Sequence, residues 1–328
     1  MKYLILTTTD PAFNLAAEQY VFDTLARDES FLMLWQNDNA IIIGKHQNTL
    51  AEINEAFVES HGIKVVRRLS GGGAVYHDLG NLNYTLIAPD EGAQLDLGQF
   101  CRPVIHALQK LGVDAQLNGR NDMTIEGKKF SGNAQYRKDG RVMHHGTILF
   151  DSEMSVLAGA LQVDEEKIKA KGVKSVRSRV TNVRPCLPRD MTLPQFRAAL
   201  LACILEEMPG EEYVLTSADL AAIEAIRTQR YGTWEWNYGR SPACDVKLRR
   251  RFEGVGTVEA FLTMNHGCID KIAFRGDYFS AVEPAALEGL LVGCQRTREA
   301  VENALAGVDA GTYFHGLTNG QLIELICS

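Results

Sequence analysis

The segment Arg67-Arg68-Leu69-Ser70-Gly71-Gly72-Gly73-Ala74-Val75-Tyr76-His77-Asp78 stands between two stretches that read as strands. Its glycines expose backbone N–H donors, and arginine can bind a phosphate through paired hydrogen bonds, so the segment suits a bound polyanion. Taken alone, a glycine run is also consistent with a tight turn. The sequence contains neither the P-loop pattern G-x-x-x-x-G-K-[ST] nor the dinucleotide pattern G-x-G-x-x-G. It therefore predicts a nucleotide-binding fold of another kind.

The composition is that of a soluble globular protein, and the length of 328 residues favours two domains. The net charge of −7 argues against nucleic acid as the main partner, which would require a surplus of Lys and Arg. Apolar runs are too short for a signal peptide or a membrane-spanning helix, so we expect a cytoplasmic protein without a membrane partner. Seven scattered cysteines without a Cys-x-x-Cys pair predict neither a disulfide framework nor a zinc site.

Hydrophobic periodicity predicts an α+β fold without a regular βαβ alternation. A helix is predicted from Phe13 to Leu25. Phe31 to Trp35 and Ala40 to Ile43 are predicted to be paired strands, because the turn-like Asn37-Asp38-Asn39 divides them. The further predicted elements are strands at Lys64 to Arg68, Leu82 to Ala88, Met123 to Ile125 and Val142 to Phe150, and helices at Phe100 to Leu111 and Leu193 to Met208.

A smaller α+β domain is predicted at the C-terminal end. The segment Tyr231 to Cys244 is rich in Gly, Trp, Asn and Pro, which is typical of a boundary, and we place the domains at residues 1–243 and 244–328. Beyond it, Asn265-His266-Gly267 between apolar runs predicts a hairpin. Between Asp164 and Arg184, basic residues without a hydrophobic period predict a mobile basic loop. The helices predicted here are Pro284 to Val292 and Thr318 to Ile326.

Two lysines and two histidines are further candidate site residues. In Lys128-Lys129-Phe130, neighbouring side chains point to opposite faces of a strand, so one lysine can enter a pocket while the other stays in solvent. The same alternation separates His144 from His145, which argues against a two-histidine metal site. Trp35, at a strand end, can pack in the core or form a wall of an apolar ligand pocket.

Together these segments resemble the lipoate–protein ligase A family of the bacterial type, with a C-terminal accessory domain. The resemblance covers most of the first 185 residues and extends through Trp234-Glu235-Trp236-Asn237 across nearly the whole chain. It implies a mixed-sheet catalytic domain like that of biotin ligases and class II aminoacyl-tRNA synthetases. The motifs that carry it are Phe13 to Ala16, Leu34 to Asn37, Arg67 to Asn81, Gly119 to Asp122, Lys129 to Gly132, His144 to Thr147 and Ser175 to Asn182.

The resemblance also implies a role for particular residues, with ATP and Mg²⁺ as cofactors. Lys129 corresponds to the lysine that contacts both the lipoyl carboxyl group and the α-phosphate, and Lys129, Arg68 and Asp122 are the implied catalytic residues, with Asp122 near the magnesium. The implied nucleotide contacts are Arg68, Gly73, Ala74, Val75, Tyr76, His77, Asn121 and Lys129. The implied lipoate pocket is Trp35, Ser70, Gly71, Lys129 and His145, and the implied adenylate loop includes Lys171, Ser178, Arg179 and Thr181.

The implied activity is ATP-dependent formation of lipoyl-AMP, with release of pyrophosphate, and transfer of the lipoyl group to an acceptor lysine. The implied acceptors are lipoyl domains of 2-oxoacid dehydrogenase acyltransferase subunits, the glycine-cleavage H protein, or both, and we expect a monomer. One alternative is an octanoyl or lipoyl transferase, which needs a nucleophilic cysteine. Cys186 has no evident base partner, which favours the ligase. The other is a non-catalytic acyl-binding homologue, against which the retained Lys129 and Arg68 argue.

Overall fold

The computed structural model describes residues 1–90, 97–118, 122–153, 156, 180–239, 245–265 and 267–328, and it confirms the α+β fold. The strands are β1 (Lys2–Ile5), β2 (Phe31–Trp35), β3 (Ala40–Ile43), β4 (Lys64–Arg67), β5 (Val75–His77), β6 (Asn81–Pro89), β7 (Ala115–Asn118), β8 (Asp122–Ile125), β9 (Lys128–Lys138), β10 (Arg141–Leu149), β11 (Glu211–Glu212), β12 (Val246–Phe252), β13 (Gly256–Asn265) and β14 (Cys268–Gly276). The helices are α1 (Pro11–Asp23), α2 (Thr49–Glu52), α3 (Glu55–Ser60), α4 (Leu97–Lys110), α5 (Leu193–Glu207), α6 (Ser217–Ile226), α7 (Trp234–Asn237), α8 (Ala285–Leu291), α9 (Arg298–Ala304), α10 (Ala310–Tyr313) and α11 (Asn319–Cys327). Within these ranges no helix is long and apolar enough to cross a lipid bilayer.

The main sheet has eight strands in the order β11-β1-β2-β6-β10-β9-β8-β7. β1 runs parallel to β2 and β11, while the other neighbouring strands are antiparallel, so the sheet is mixed. Alternation divides the side chains of each strand between two cores. On β2, Leu32 and Leu34 pack in the core beneath α4 and α5, whereas Phe31, Met33 and Trp35 pack in the core beneath α1 and α6.

The first helix, α1, carries buried polar residues as well as apolar ones. It begins at Asp10, whose carboxylate accepts a hydrogen bond from the backbone N–H of Ala12, and Pro11 occupies its first turn. Asn14 and Glu18, one turn apart, are both buried. Because a buried polar group requires hydrogen-bond partners, these two residues fix the segments that pack around the helix.

A second sheet, in the order β4-β3-β5, packs against the core beneath α1. The prediction that Phe31–Trp35 and Ala40–Ile43 pair with each other is wrong, because β2 pairs with β1 and β6, whereas β3 pairs with β4 and β5. Both strands are buried along their whole length, and a continuous apolar strand carries no information about its neighbour. The glycine segment lies between β4 and β5.

The C-terminal part forms an antiparallel sheet of β12, β13 and β14 that shares a core with α8, α9 and α11. The pairing of β13 with β14 confirms the predicted hairpin. The predicted boundary between residues 243 and 244 lies outside the described residues and stays a prediction. Residues 231–239, predicted to belong to this boundary, pack instead into the N-terminal part, where Oδ1 of Asn237 accepts a hydrogen bond from the backbone N–H of Arg67.

Candidate active site

A cavity of about 140 Å³ lies between the main sheet and the glycine segment. Apolar side chains and a few charged or hydrogen-bonding groups surround it, which is typical of a small-molecule site. The lining residues are Leu15, Trp35, Ile42, Arg68, Gly72, Gly73, Ala74, Val75, His77, Asn83, Lys129, Gly132, Asn133, Ala134, His145, Gly146, Thr147 and Phe279. Most of the predicted site residues that the structure describes are therefore brought together.

Lys129 enters the cavity, whereas Lys128 is exposed and does not belong to its wall. The predicted alternation of these lysines is thus confirmed. Nζ of Lys129 lies 2.7 Å from Oδ1 of Asp122 on the neighbouring strand β8. A Cβ atom on Gly132 would lie 2.9 Å from this Nζ, so the missing side chain provides the space that the lysine occupies. The ammonium group consequently has a defined position with one carboxylate neighbour.

The positions of the three glycines after Arg68 differ in whether, and why, the structure requires glycine. A Cβ on Gly71 would lie 2.5 Å from the carbonyl oxygen of Tyr278, so this glycine permits a close backbone contact with the C-terminal part. Gly72 has a φ of +89°, which favours glycine, and its N–H donates to the same oxygen at 3.3 Å. A Cβ on Gly73 would meet no atom of the described residues within 4 Å, although Gly73 lines the cavity. The packing around Gly73 therefore does not explain why this position is glycine.

Arg68 lines the cavity, but it is only 6% exposed and its guanidinium group holds the glycine segment. Nη2 donates to the carbonyl oxygens of Gly71 and Gly73 at 2.6 and 2.8 Å, and Nη1 donates to that of Ile42 at 3.1 Å. Nε donates to Oγ of Ser70 at 3.0 Å. Burial lowers the pKa of Arg68 to about 10, so the group remains charged near neutral pH. Arg68 thus gives the cavity wall a positive charge while four hydrogen bonds shape the loop.

Arg67 is fully buried and is not part of the cavity wall. Its Nη1 donates to the carbonyl oxygens of Gly44 and Gln47 at 2.8 and 2.7 Å. Its Nε donates to the carbonyl oxygen of Trp236 at 2.9 Å, and the indole N–H of Trp236 donates back to the Arg67 carbonyl oxygen at 2.8 Å. Arg67 therefore joins the turn after β3 to α7, which connects the Trp234 to Asn237 motif with the glycine segment.

Trp35 and His145, both predicted pocket residues, line the cavity and are nearly buried. Nδ1 of His145 lies 2.8 Å from Oε1 of Glu18, and its Nε2 lies 2.5 Å from Oγ of Ser70. The indole N–H of Trp35 donates to Oγ1 of Thr85 at 3.0 Å, and this hydroxyl donates to the same Glu18 oxygen at 2.7 Å. Both pocket residues are therefore connected by hydrogen bonds to Glu18, a residue that was not predicted from the sequence.

His77 lines the cavity, whereas His144 packs on the other face of the main sheet against Phe100 of α4. Burial, with Arg68 and His145 as weaker causes, lowers the pKa of His77 to about 3. Its Nδ1 accepts from the side-chain amide of Asn37 at 3.0 Å, so the neutral ring carries its hydrogen on Nε2. This Nε2 is buried and has no hydrogen-bond partner among the described residues. It is therefore available to an acceptor on a ligand.

Besides Asp122 and Thr181, the predicted residues that the structure describes outside the cavity wall are Ser70, Gly71 and Tyr76. Ser70 is 1% exposed, and Gly71 is covered by the backbone of Tyr278. The hydroxyl of Tyr76 donates to Oδ1 of Asn39 at 3.0 Å. Direct ligand contacts from Ser70, Gly71 and Tyr76 therefore find no support in this arrangement.

The predicted adenylate loop is described only at its end. The backbone N–H of Thr181 donates to the carbonyl oxygen of Lys129 at 2.9 Å, so the chain rejoins the main sheet beside the cavity lysine. The predicted residues that lie outside the described part of the chain are Asn121, Lys171, Ser178 and Arg179.

Several wall residues were not predicted. Leu15 lies on α1 within the Phe13 to Ala16 motif, and its place in that motif is a signal that could have identified it. Asn83 and Asn133 lie on strands of the main sheet. Phe279, after β14, is 2% exposed and packs against Ala134, and nothing in its local sequence marks it as a pocket residue.

Asp122 is the candidate magnesium ligand. Across the described ranges, no group of three or more His, Cys, Asp or Glu side chains is arranged to hold a metal ion. Mg²⁺ is commonly held by one or two carboxylates together with substrate phosphates. Asp122, 38% exposed at its side chain and bonded to the cavity lysine, fits that arrangement but supplies only one carboxylate.

Neither cysteine near the predicted motifs is suited to nucleophilic attack. Burial raises the pKa of Cys186, which is not part of the cavity wall. Cys101 is fully buried, and its Sγ lies 3.7 Å from Nε2 of His144. Because burial lowers the pKa of His144 to about 3, this ring is a weak base for the thiol proton.

Comparison with known proteins agrees with this arrangement. The family model described as lipoyl protein ligase A/B catalytic domain matches residues 10–205, and that of the bacterial lipoate protein ligase C-terminus matches residues 241–326. The chain is 44% identical over 323 residues to the lipoate-protein ligase LplJ of Bacillus subtilis (strain 168), with 97% of each chain covered.

Two solved structures share the fold. One is a bi-partite lipoate protein ligase from Thermoplasma acidophilum, studied with its E2 lipoyl domain, at 29% identity and a TM-score of 0.65, covering 75% of this chain and 98% of that chain. The other is a lipoate-protein ligase A bound with ATP, at 26% identity and a TM-score of 0.62, covering 73% and 98%. From the two family matches and the full-length similarity, the chain belongs to the lipoate–protein ligase family.

Proposed function

We propose that the protein is an ATP-dependent lipoate–protein ligase, which forms lipoyl-AMP and transfers the lipoyl group to a lysine of a lipoyl-domain protein. The observation that carries the proposal is the position of Lys129, which lines the same cavity as several apolar side chains and Gly73. A cation there can contact the carboxylate of the acid and the α-phosphate of the nucleotide together. The ATP-bound relative supports ATP as the second substrate.

The acid occupies the part of the cavity formed by Leu15, Trp35 and His145, and the nucleotide approaches along Gly73 to His77. Gly73 supports this division, because its missing side chain leaves space that the protein does not fill. The buried Nε2–H of His77 supports it as well, since a ligand acceptor would satisfy this donor.

In the first step, a carboxylate oxygen of lipoate attacks the α-phosphorus, the bond to the bridging oxygen breaks, and pyrophosphate leaves with the bonding electrons. Lys129 and the charge of Arg68 stabilise the negative charge that spreads over the phosphoryl oxygens. Arg68 acts mainly as a fixed charge, because its hydrogen bonds already hold the loop. Mg²⁺ held by Asp122 and the phosphates would supply further charge neutralisation.

In the second step, the acceptor amine attacks the acyl carbon, the bond from that carbon to the AMP oxygen breaks, and the amine proton passes to solvent. Lys129 polarises the carbonyl oxygen during this attack. The end of the predicted adenylate loop lies beside this lysine, because the backbone N–H of Thr181 donates to the Lys129 carbonyl oxygen. The remainder of that loop, from Lys171 to Arg179, lies outside the described residues.

A transferase mechanism is less well supported, because it requires a thiolate in the cavity. Cys186 has a raised pKa and lies outside the cavity wall, and Cys101 is buried beside a weakly basic His144. Among the described residues, no cysteine is therefore a candidate to carry the acyl group as a thioester in the cavity.

The proposed acceptors are lipoyl domains of 2-oxoacid dehydrogenase acyltransferase subunits, the glycine-cleavage H protein, or both. The enzyme is proposed to be monomeric and cytoplasmic. The relative studied with its E2 lipoyl domain supports the lipoyl-domain class.

The test incubates the purified protein with lipoate, Mg²⁺-ATP and a lipoyl domain, following pyrophosphate release and the mass of the acceptor. Lys129→Ala should abolish both signals, while Lys128→Ala, the matched control outside the cavity, should retain most of each. Acyl transfer from a carrier-protein thioester without ATP would select the transferase. An inactive Lys128→Ala beside an active Lys129→Ala would refute the lysine assignment.

A further inference from the structure

The carboxylate of Glu18 is 1% exposed and lies behind the acid-binding side of the cavity. One of its oxygens accepts from Thr85 at 2.7 Å and lies 2.8 Å from Nδ1 of His145. Thr85 in turn accepts from the indole N–H of Trp35 at 3.0 Å. A single buried carboxylate is therefore bonded directly to the His145 ring and, through the Thr85 hydroxyl, to the Trp35 ring, and both rings line the cavity.

The directions of these hydrogen bonds can be assigned from the groups themselves. Arg68 can only donate, so Oγ of Ser70 accepts from its Nε, and the Ser70 hydroxyl hydrogen is free to donate to Nε2 of His145. The hydrogen on Nδ1 of His145 is donated to Glu18, because a carboxylate oxygen is the acceptor of this pair. Two series of hydrogen bonds, one that starts at Arg68 and one that starts at Trp35, thus both end on Glu18. As an ionised carboxylate, Glu18 can only accept hydrogen bonds.

Ser70, His145 and Glu18 are ordered like the serine, histidine and carboxylate of a hydrolase. Ser70, however, is 1% exposed and is absent from the cavity wall, and its oxygen already accepts from Arg68. A nucleophile requires access to the substrate carbon. The arrangement therefore serves to hold the wall and not to attack an acyl group.

We propose that Glu18 is a positioning residue for acid binding, which fixes the ring orientations of Trp35 and His145 in the cavity wall. The proposal rests on the proposed function, because it assigns these rings to the lipoate side of the site. Glu18 touches neither the cavity nor a reacting atom, so its effect passes through the two rings.

Asp219, on α6, provides a matched control because it also holds α1. It is a second buried carboxylate, 6% exposed, and its Oδ1 accepts from the hydroxyl of Tyr20 on α1 at 2.6 Å. Its other hydrogen-bond donors are Tyr213 and Thr216, and none of these residues lines the cavity. Removing Asp219 therefore weakens the attachment of α1 without disturbing Trp35 or His145.

The experiment measures the KM for lipoate and the KM for ATP in ATP–pyrophosphate exchange, and urea unfolding, for the full chain and for Glu18→Ala, Glu18→Gln and Asp219→Asn. Glu18→Ala should raise the KM for lipoate about tenfold, because two buried donors lose their acceptor, and should leave the KM for ATP within about twofold. Glu18→Gln should restore most of the affinity, since an amide oxygen can accept both bonds. Asp219→Asn should lower stability and leave both KM values within about twofold.

Thr85→Val keeps the test valid where Glu18→Ala does not fold, because it cuts only the connection from Trp35. It should raise the KM for lipoate by about threefold with the KM for ATP unchanged. An equal rise of both KM values in the Glu18 variants, or a loss of stability without a change in the KM for lipoate, would overturn the positioning role. Failure of the wild-type protein to exchange pyrophosphate would instead refute the proposed function.

Discussion

Adding one methyl group at Gly73 should separate ligand binding from folding. The Cβ of Gly73→Ala would meet no described atom within 4 Å, and the backbone does not need glycine there, so the folded protein accepts it. Alanine at such a position restricts the unfolded chain and stabilises a protein by about 0.4–1 kcal/mol. Gly73 lines the cavity of about 140 Å³, so we expect the same methyl group to meet a ligand that is bound there. Overpacking against a ligand costs about 1–3 kcal/mol, which corresponds to roughly a five- to 150-fold rise in KM.

Gly71→Ala is the matched control, because it adds the same atom two residues away. Its Cβ would lie 2.5 Å from the carbonyl oxygen of Tyr278, a distance that requires the backbone of the C-terminal part to move. We expect a loss of about 1–3 kcal/mol in the free energy of unfolding, the usual cost of overpacking. The two variants should therefore change stability in opposite directions.

The assay combines urea unfolding with ATP–pyrophosphate exchange at varied lipoate and varied ATP. A rise in the KM for ATP in Gly73→Ala would place the nucleotide against this residue, as the resemblance implies, whereas a rise for lipoate would place the acid there. If Gly73→Ala bound both substrates like the wild-type protein, or lost stability as Gly71→Ala does, the assignment of this position to a ligand would be refuted.

Two further predictions concern the cysteine and the buried histidine. Cys186→Ser should retain ATP-dependent ligation of a lipoyl domain in the acceptor-mass assay, because the thiol lies outside the cavity wall; complete loss with an intact fold would favour the transferase. Burial lowers the pKa of His144 to about 3, so as the pH is lowered below 6.5 the unfolded chain binds a proton that the folded protein does not. The free energy of unfolding therefore decreases as the pH is lowered. Between pH 7 and 5 the wild-type protein should therefore lose about 2 kcal/mol more than His144→Gln in urea titrations, and equal losses would contradict a neutral buried ring.

The sequence predicted those elements whose pattern is local. Alternation along β9 distinguished Lys129 from Lys128, because a strand sends neighbouring side chains to opposite faces whatever its partner is. Pairing between strands is not local in this sense. β2 and β3 are both buried along their length, so their apolar patterns satisfy any buried neighbour, and the turn between them proved to be a crossing between two sheets.

Glu18 escaped prediction for a different reason. A glutamate among apolar residues in a predicted helix reads as the solvent-facing side, since carboxylates are seldom fully buried. Here its partners lie on two strands of the main sheet, far along the chain, at Thr85 and His145. Asn14, one turn earlier, is buried for a related reason, because its amide donates to the carbonyl oxygens of Thr8 and Gln36. Polar groups of α1 are thus explained by the fold around the helix and not by its own periodicity.

The three glycines of the glycine segment are needed for different physical reasons, although the sequence alone does not distinguish them. Gly71 is required because a side chain would collide with the backbone of Tyr278, and Gly72 is required because its φ is positive. The folded chain therefore needs both glycines before any ligand binds. Gly73 meets neither demand. A loss of activity at Gly71 or Gly72 consequently cannot identify a ligand contact, because misplacement of Phe279 in the cavity wall would produce the same loss. The same loss at Gly73, in a protein as stable as the wild type, has no such structural explanation and must come from the ligand.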